Sequence, residues 1–305
     1  MSPVINPFEL FFNWKLRAMF YSRSGAGKTR LAATAAYVKE MCPVYYYGTE
    51  KGFLSIKHII FQTRRIQPVI GRSASDLVAL QRIILAPGKY KTVVIDSLTE
   101  LYVHLMATLL ERAGRANQRP FQSDRGEVHD KILKLLRFIE GRSQVHVIMT
   151  AGDMYLKDKE GDILAWDPDI VGKLTLRAPR YFDVVGRLLT EVTKPATPDS
   201  PAQITRMLQV QPYGKALAKD RSPGGRLGAM VSNPTMAKIY RALIGPPTML
   251  PEGPTDDPSL QLDFPVPDHI KRELLARKKR RQAAPQSEAV EGTLESSTGE
   301  GGTSD

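Results

Sequence analysis

Ala18-Met19-Phe20-Tyr21-Ser22-Arg23-Ser24-Gly25-Ala26-Gly27-Lys28-Thr29-Arg30-Leu31-Ala32-Ala33 is an apolar run, a glycine-bearing turn, a Lys-Thr pair and a helix-favouring stretch. It predicts a strand, a tight loop and a helix in that order. Gly25 and Gly27 carry no Cβ, so the backbone between strand and helix can curl until several N–H groups aim at one point. The positive end of the following helix aims there too, which makes the point an anion site. In such a loop the Lys28 ammonium reaches the β- and γ-phosphate oxygens of a nucleotide, and the Thr29 hydroxyl binds the Mg²⁺ that bridges them. Ser22, Arg23, Ser24, Gly25, Ala26, Gly27, Lys28, Thr29 and Arg30 are the candidate nucleotide-binding set.

One position departs from the signature G-x-x-x-x-G-K-[ST], which has glycine where this chain has Ser22. The last three signature positions are intact and Ser22 is small, so the expectation is an altered loop that still binds. A dinucleotide-binding G-x-G-x-x-G is excluded because Arg30 stands at its third glycine.

Outward from the loop, residues 29–40 have high helix propensity, and Pro43 precedes Val44-Tyr45-Tyr46-Tyr47, a strand-forming run. Glu50 follows at the carboxyl end of that strand, where open α/β sheets carry functional groups. It suits a general base that polarises the attacking water, and it suits a solvated turn residue. A short strand is expected at 67–70 and a helix at 73–85. Val93-Val94-Ile95-Asp96-Ser97 then reads as a buried parallel strand delivering a carboxylate to the sheet edge. Downstream of a phosphate loop, Asp96 suits Mg²⁺ held through water, and Ser97 suits the cap of the next helix.

Helices are predicted over 98–113 and 127–140, joined by a basic loop whose Arg115, Arg119 and Arg125 face either phosphates or solvent. A strand at 144–150 ends on Thr150, a candidate γ-phosphate sensor. A β-hairpin follows over 153–166, then strands at 182–192 and 204–210. Lys219-Asp220-Arg221 falls among prolines and glycines and reads as a loop whose two cations can reach one phosphate cluster. A last helix covers 233–243. The aromatic N-terminal stretch 1–14 reads as a strap on the core.

The 305-residue chain carries a net charge of +11, which suits a polyanionic partner such as nucleic acid or merely a solvated surface. Cys42 is the only cysteine, so no internal disulfide can form, and a reducing cytoplasm fits. No apolar stretch is long enough to span a bilayer, and the five histidines lie far apart. Composition divides the chain into a domain at 1–245, a Pro-rich linker at 246–267, a basic helix-capable segment at 268–282 and an acidic tail at 283–305 expected to be disordered.

The order of phosphate loop, strand-end Glu50, Asp96, strand 145–150 and late Lys219-Asp220-Arg221 resembles the RecA-like branch of P-loop ATPases. It is most similar to phage-encoded RecA-like single-strand annealing proteins, over about residues 10–245. The resemblance implies an α/β fold, namely a RecA-like P-loop NTPase core with a mainly parallel central sheet, a β-hairpin extension and a disordered C-terminal tail. It implies ATP and Mg²⁺ as cofactors, Lys28 and Glu50 as catalytic residues, and Thr29 and Asp96 at the metal. It also implies Lys219 and Arg221 completing a neighbour's site in a homo-oligomeric ring or filament. The implied activity is ATP hydrolysis on single-stranded DNA in recombination or annealing, alongside a phage recombination or single-strand-binding partner and without a membrane. Ser22 and Gly152, which stands where relatives often carry a polar sensor, keep open a nucleotide-regulated adaptor with little turnover. A helicase or motor ATPase is the third possibility.

Overall fold

The structure, a computed structural model, describes residues 14–50, 52–71, 75–193, 203–255 and 257–263, with a few positions between 268 and 276. The expected strap at 1–13, most of the basic segment and the whole acidic tail lie outside the described residues. Among the described residues ten strands form the sheet: β1 (Arg17–Tyr21), β2 (Val44–Gly48), β3 (Ile66–Ile70), β4 (Thr92–Asp96), β5 (His146–Lys157), β6 (Ile163–Asp169), β7 (Val184–Thr193), β8 (Gln203–Gln209), β9 (Lys219–Asp220) and β10 (Met230–Ser232). The helices are α1 (Lys28–Ala33), α2 (Lys57–Thr63), α3 (Ser75–Leu85), α4 (Leu98–Arg112), α5 (Gln122–Arg142), α6 (Leu174–Arg177) and α7 (Met236–Leu243).

The strand order is β10-β8-β7-β1-β5-β4-β2-β3, with β6 paired to β5 and β9 to β7. From β7 to β3 every pairing is parallel, while β7–β8, β8–β10, β5–β6 and β7–β9 are antiparallel. Parallel strands need a covered layer on each face, and their near-continuous apolar runs supply it. On one face Met19, Val93, Ile95, Val147 and Met149 pack against α3, α4 and α5. On the other, Ala18, Phe20, Val94 and Ile148 pack against α1, α2 and α7. The result is a three-layer α/β/α body with a mainly parallel sheet, as the sequence led one to expect.

The six parallel strands β7, β1, β5, β4, β2 and β3 deliver their carboxyl ends to one edge. There β5 runs on past its neighbours, and from Gly152 to Lys157 it pairs with β6 as the expected hairpin.

Several stretches differ from the sequence reading where tertiary partners override local preference. The helix expected over 29–40 ends at Ala33 and continues as two short 3₁₀ turns around an extended Val38. There the backbone pairs with a distant segment instead: Lys39 N–H donates to Thr248 O at 2.9 Å, and Leu250 N–H to Tyr37 O at 2.9 Å. That segment belongs to the stretch read as a linker, yet the compact unit runs to Phe264. The fully buried Arg65 explains the attachment, since its guanidinium donates to Ala36 O, Pro251 O and Gly253 O at 2.9 to 3.1 Å. Leu260 and Leu262 are buried as well.

The basic loop is shorter than expected because α5 starts at Gln122. The Asp124 carboxylate accepts from Phe121 N–H at 2.7 Å and from both Arg115 Nη atoms at 2.7 and 3.0 Å, so Arg115 is engaged within the chain while Arg119 and Arg125 are exposed. Lys219 and Asp220 form the short strand β9 where a loop was expected.

Candidate nucleotide site

The loop after β1 has the conformation its glycines allow. Gly25 and Gly27 sit at φ +82° and +107°, in the left-handed region that side chains disfavour, and Gly27 is the residue before α1. Ser22 is different. Its N–H extends the β1–β5 ladder to Ala151 O at 3.3 Å, and it has no left-handed φ, so the serine is accommodated without strain. Lys28 folds its ammonium onto the loop's own carbonyls, Ser22 O at 2.7 Å and Arg23 O at 3.1 Å. Burial pushes that ammonium below its ordinary pKa, while the nearby carboxylates of Asp96, Glu50 and Asp153 pull the other way.

Asp96 ends β4 between two hydroxyl donors. Thr150 Oγ1 donates to Oδ1, and the fully buried Tyr46 hydroxyl donates to Oδ2 at 2.7 Å. Burial first, then the Asp96 charge, raises the Tyr46 pKa well above its ordinary value, so the phenol stays protonated and a donor. Thr49 ties the end of β2 to the same turn: its N–H donates to Asp96 O at 2.7 Å and its Oγ1 accepts from Ser97 N–H at 2.8 Å. Ser97 caps α4 through Glu100 N–H and gives its own hydroxyl proton to Glu50 Oε1 at 3.0 Å.

The donor set fits a hydrated Mg²⁺. A Cβ added at Gly52 would lie 3.5 Å from Thr29 Oγ1 and 3.9 Å from Asp96 Oδ2, so hydroxyl and carboxylate border one small space kept open by that glycine. Among the described residues no group of three His, Cys, Asp or Glu is built to hold a metal by itself.

The structure thus brings Ser22 to Arg30, Glu50, Asp96 and Thr150 to one edge. It does not bring Lys219 and Arg221 there. β9 pairs with Val184 and Val185, level with the amino end of β1. The intervening four residues of strand measure about 13 Å at roughly 3.3 Å per residue. At that far edge Lys219 Nζ donates to Pro179 O and Arg180 O, and Arg221 pairs with Asp183 at 3.5 Å.

Sequence reading missed Tyr46, Thr99 and Arg206. Tyr46 had a signal, since a tyrosine in a fully buried strand needs a partner for its hydroxyl. Thr99 accepts from Gly152 N–H at 2.9 Å and donates to Asp169 O at 2.7 Å, while a side chain at Gly152 would meet Asp169 Cβ at 3.3 Å. Arg206 reaches over the loop from β8, with Nε donating to Ala26 O at 3.1 Å. No local pattern announces either contact.

A glycine-bent phosphate loop with Lys28 and Thr29, on a sheet where β5 alone separates β1 from the acid-bearing β4, gives the chain a RecA-like P-loop nucleotide-binding fold. The chain belongs to the AAA domain family, whose profile matches residues 14–222. No curated protein matches it.

Solved structures similar to it include the flagellar accessory protein FlaH from Methanocaldococcus jannaschii, at 9% identity over 77% of this chain and 89% of that one, with a TM-score of 0.36. The RadB recombinase is similar at 17% identity over 64% and 79%, with a TM-score of 0.36. An ATPase from the type III secretion system of pathogenic bacteria is similar at 14% over 57% and 51%, with a TM-score of 0.39. No helix among the described residues is long and apolar enough to cross a membrane.

Proposed function

We propose that the protein is an oligomeric, Mg²⁺-dependent ATPase that acts on single-stranded DNA in phage-type recombination or annealing. The observation that carries the nucleotide part of the reading is the convergence of Lys28, Thr29, Glu50, Asp96 and Thr150 at the carboxyl edge of one parallel sheet, and the net charge of +11 supports a polyanionic partner. When bound, ATP supplies the transferable phosphoryl group and Mg²⁺ neutralises charge on its oxygens. Lys28 leaves the carbonyls of Ser22 and Arg23 for phosphate oxygens. Thr29 and Asp96 would hold the hydrated ion, with the Asp96 carboxylate positioned by the hydroxyls of Tyr46 and Thr150. Glu50, exposed and within reach of Ser97, takes the proton of the attacking water.

Lys219 and Arg221 lie too far from their own loop to serve it, so in this reading they serve the loop of an adjacent subunit. Steady-state ATP hydrolysis with and without single-stranded DNA tests the assignment. Stimulation by DNA is expected, whereas tight ATP binding with negligible turnover favours a nucleotide-regulated adaptor. Glu50→Gln should retain ATP binding and lose turnover by roughly 10²- to 10⁴-fold. Arg221→Ala should lose turnover in the assembled protein and regain it on mixing with a Lys28→Ala chain whose Arg221 is intact. Failure of that rescue removes the role in trans.

A further inference from the structure

A cavity of about 570 Å³ opens at the carboxyl edge, between the β5–β6 hairpin, Arg187 of β7 and the end of β8. Lys157, Asp162, Trp166, Arg187, Tyr213 and Lys215 contribute to its lining. Its wall is fixed by backbone. Trp166 N–H donates to Lys215 O at 2.7 Å, Leu217 N–H donates to Trp166 O at 3.0 Å, and the Tyr21 hydroxyl bonds Leu217 O at 2.6 Å. The Arg187 guanidinium lies 3.6 Å from the centre of the Trp166 ring and pairs with Asp153 at 3.1 Å, while its buried Nε has no hydrogen-bond partner. Arg23, from the nucleotide loop, places its guanidinium 5.4 Å from the same ring.

The rim is exposed and carries the chemistry of a polyanion with apolar faces. Tyr213 is 75% exposed, and Lys157 and Lys215 are exposed beside it. Three lining cations face the single lining carboxylate of Asp162. Single-stranded nucleic acid uses both elements, phosphates on the cations and unstacked bases on the rings. A duplex keeps its base faces stacked and leaves the rings uncovered, and an acidic peptide uses only the cations.

We propose that this cavity seats a segment of single-stranded DNA, with phosphates on Lys157 and Lys215 and a base stacked on Tyr213. We propose also that Trp166, placed beside Arg23, links the seat to the nucleotide loop. The inference rests on reading the protein as a DNA-acting ATPase and names where the strand lies. An occupied loop draws Arg23 toward phosphate and changes the surroundings of the Trp166 ring.

Fluorescence anisotropy of a labelled oligothymidylate with full-length protein, across a salt series, tests the seat. Lys157→Ala/Lys215→Ala should weaken binding at least about tenfold and flatten the slope of log affinity against log salt by about 1.4, the share of two phosphate contacts on a single strand. Tyr213→Ala should weaken binding by about tenfold with the slope unchanged. DNA-free ATP hydrolysis should stay at the wild-type rate in both. Wild-type affinity and slope in these variants overturn the seat while leaving DNA binding intact. Absence of binding by the wild-type protein at low salt overturns both the seat and the DNA reading.

With Trp14→Phe, Trp166 is the only remaining tryptophan of the two in the chain. A non-hydrolysable ATP analogue should then shift its emission. An unchanged spectrum with the analogue bound removes the link.

Discussion

The two edges of the sheet use the same residue types to opposite ends. At the amino edge the buried Asp183 carboxylate accepts from the Arg17 backbone N–H, from Arg17 Nε and Nη2, and lies 3.5 Å from Arg221. The Arg17 and Asp183 charges satisfy one another between β1 and the residue before β7, and Arg221 stands half-exposed at their margin. At the carboxyl edge, among the described residues, the Lys28 ammonium donates to loop carbonyls and Glu50 accepts from a serine hydroxyl. Carbonyl contacts are neutral and exchangeable, so a phosphate can replace them without stranding a buried partner. An edge closed by its own counter-charges stabilises the fold, and one closed by exchangeable contacts can take a ligand.

The largest effect should come from breaking the carboxyl edge. Lys28→Ala removes a positioned charge from the transferring phosphoryl group and should lower ATP turnover by roughly 10²–10³-fold or more. Its denaturant midpoint should stay near wild type. Unchanged turnover would remove the loop from the chemistry.

The converse substitution comes next. Asp183→Ala leaves Arg17 buried without its carboxylate and should cost about 3–5 kcal/mol of folding stability, read as a lower urea midpoint at constant slope. A midpoint within error of wild type would show that the amino edge is not the structural one.

A smaller effect sharpens the contrast within the carboxyl edge itself. Tyr46→Phe keeps the buried ring and deletes only the hydroxyl that fixes Asp96 Oδ2. The Mg²⁺ concentration for half-maximal turnover should rise about tenfold, the equivalent of a charged-group hydrogen bond of about 1.5 kcal/mol. ATP affinity measured without Mg²⁺ should stay the same. An unchanged Mg²⁺ requirement would make Tyr46 a packing residue only.

What the sequence disclosed divides along the same line. The loop, the strand ending in Asp96 and Ser97 as a cap were legible because each depends on neighbours within a few residues, whereas the strand expected to end at Thr150 runs on to Lys157 and the Thr150 hydroxyl meets Asp96, 54 residues away in the chain. A glycine pair, an apolar run and a capping serine carry their geometry locally. Tyr46, Thr99, Arg206 and the Arg65 clamp were not legible, because their partners lie 50, 53, 180 and up to 188 residues away in the chain. The lysine and arginine of 219–221 were visible as a pair, but only the pairing of β9 with β7 reveals that they stand at the far edge from their own loop.

The smallest effect concerns that pair. Burial, and next the Arg221 charge, lower the Lys219 pKa from 10.5 to about 8 in the folded chain. In the unfolded chain it returns to its ordinary value of about 10.4. Between these values the unfolded state holds a proton that the folded state has released, so raising the pH favours the folded state. The contribution of Lys219 to stability should therefore increase as pH rises from about 8 toward 10.4, and below pH 8 its enforced charge should disfavour folding. Lys219→Met keeps the aliphatic stem and removes the titration. Subtracting the variant's urea stability from that of wild type at each pH should give a difference that rises across this window and is flat below it. A difference that stays flat through pH 10 would mean that Pro179 O, Arg180 O and Asp183 compensate the ammonium fully. The amino edge would then stabilise the fold with no cost left at Lys219.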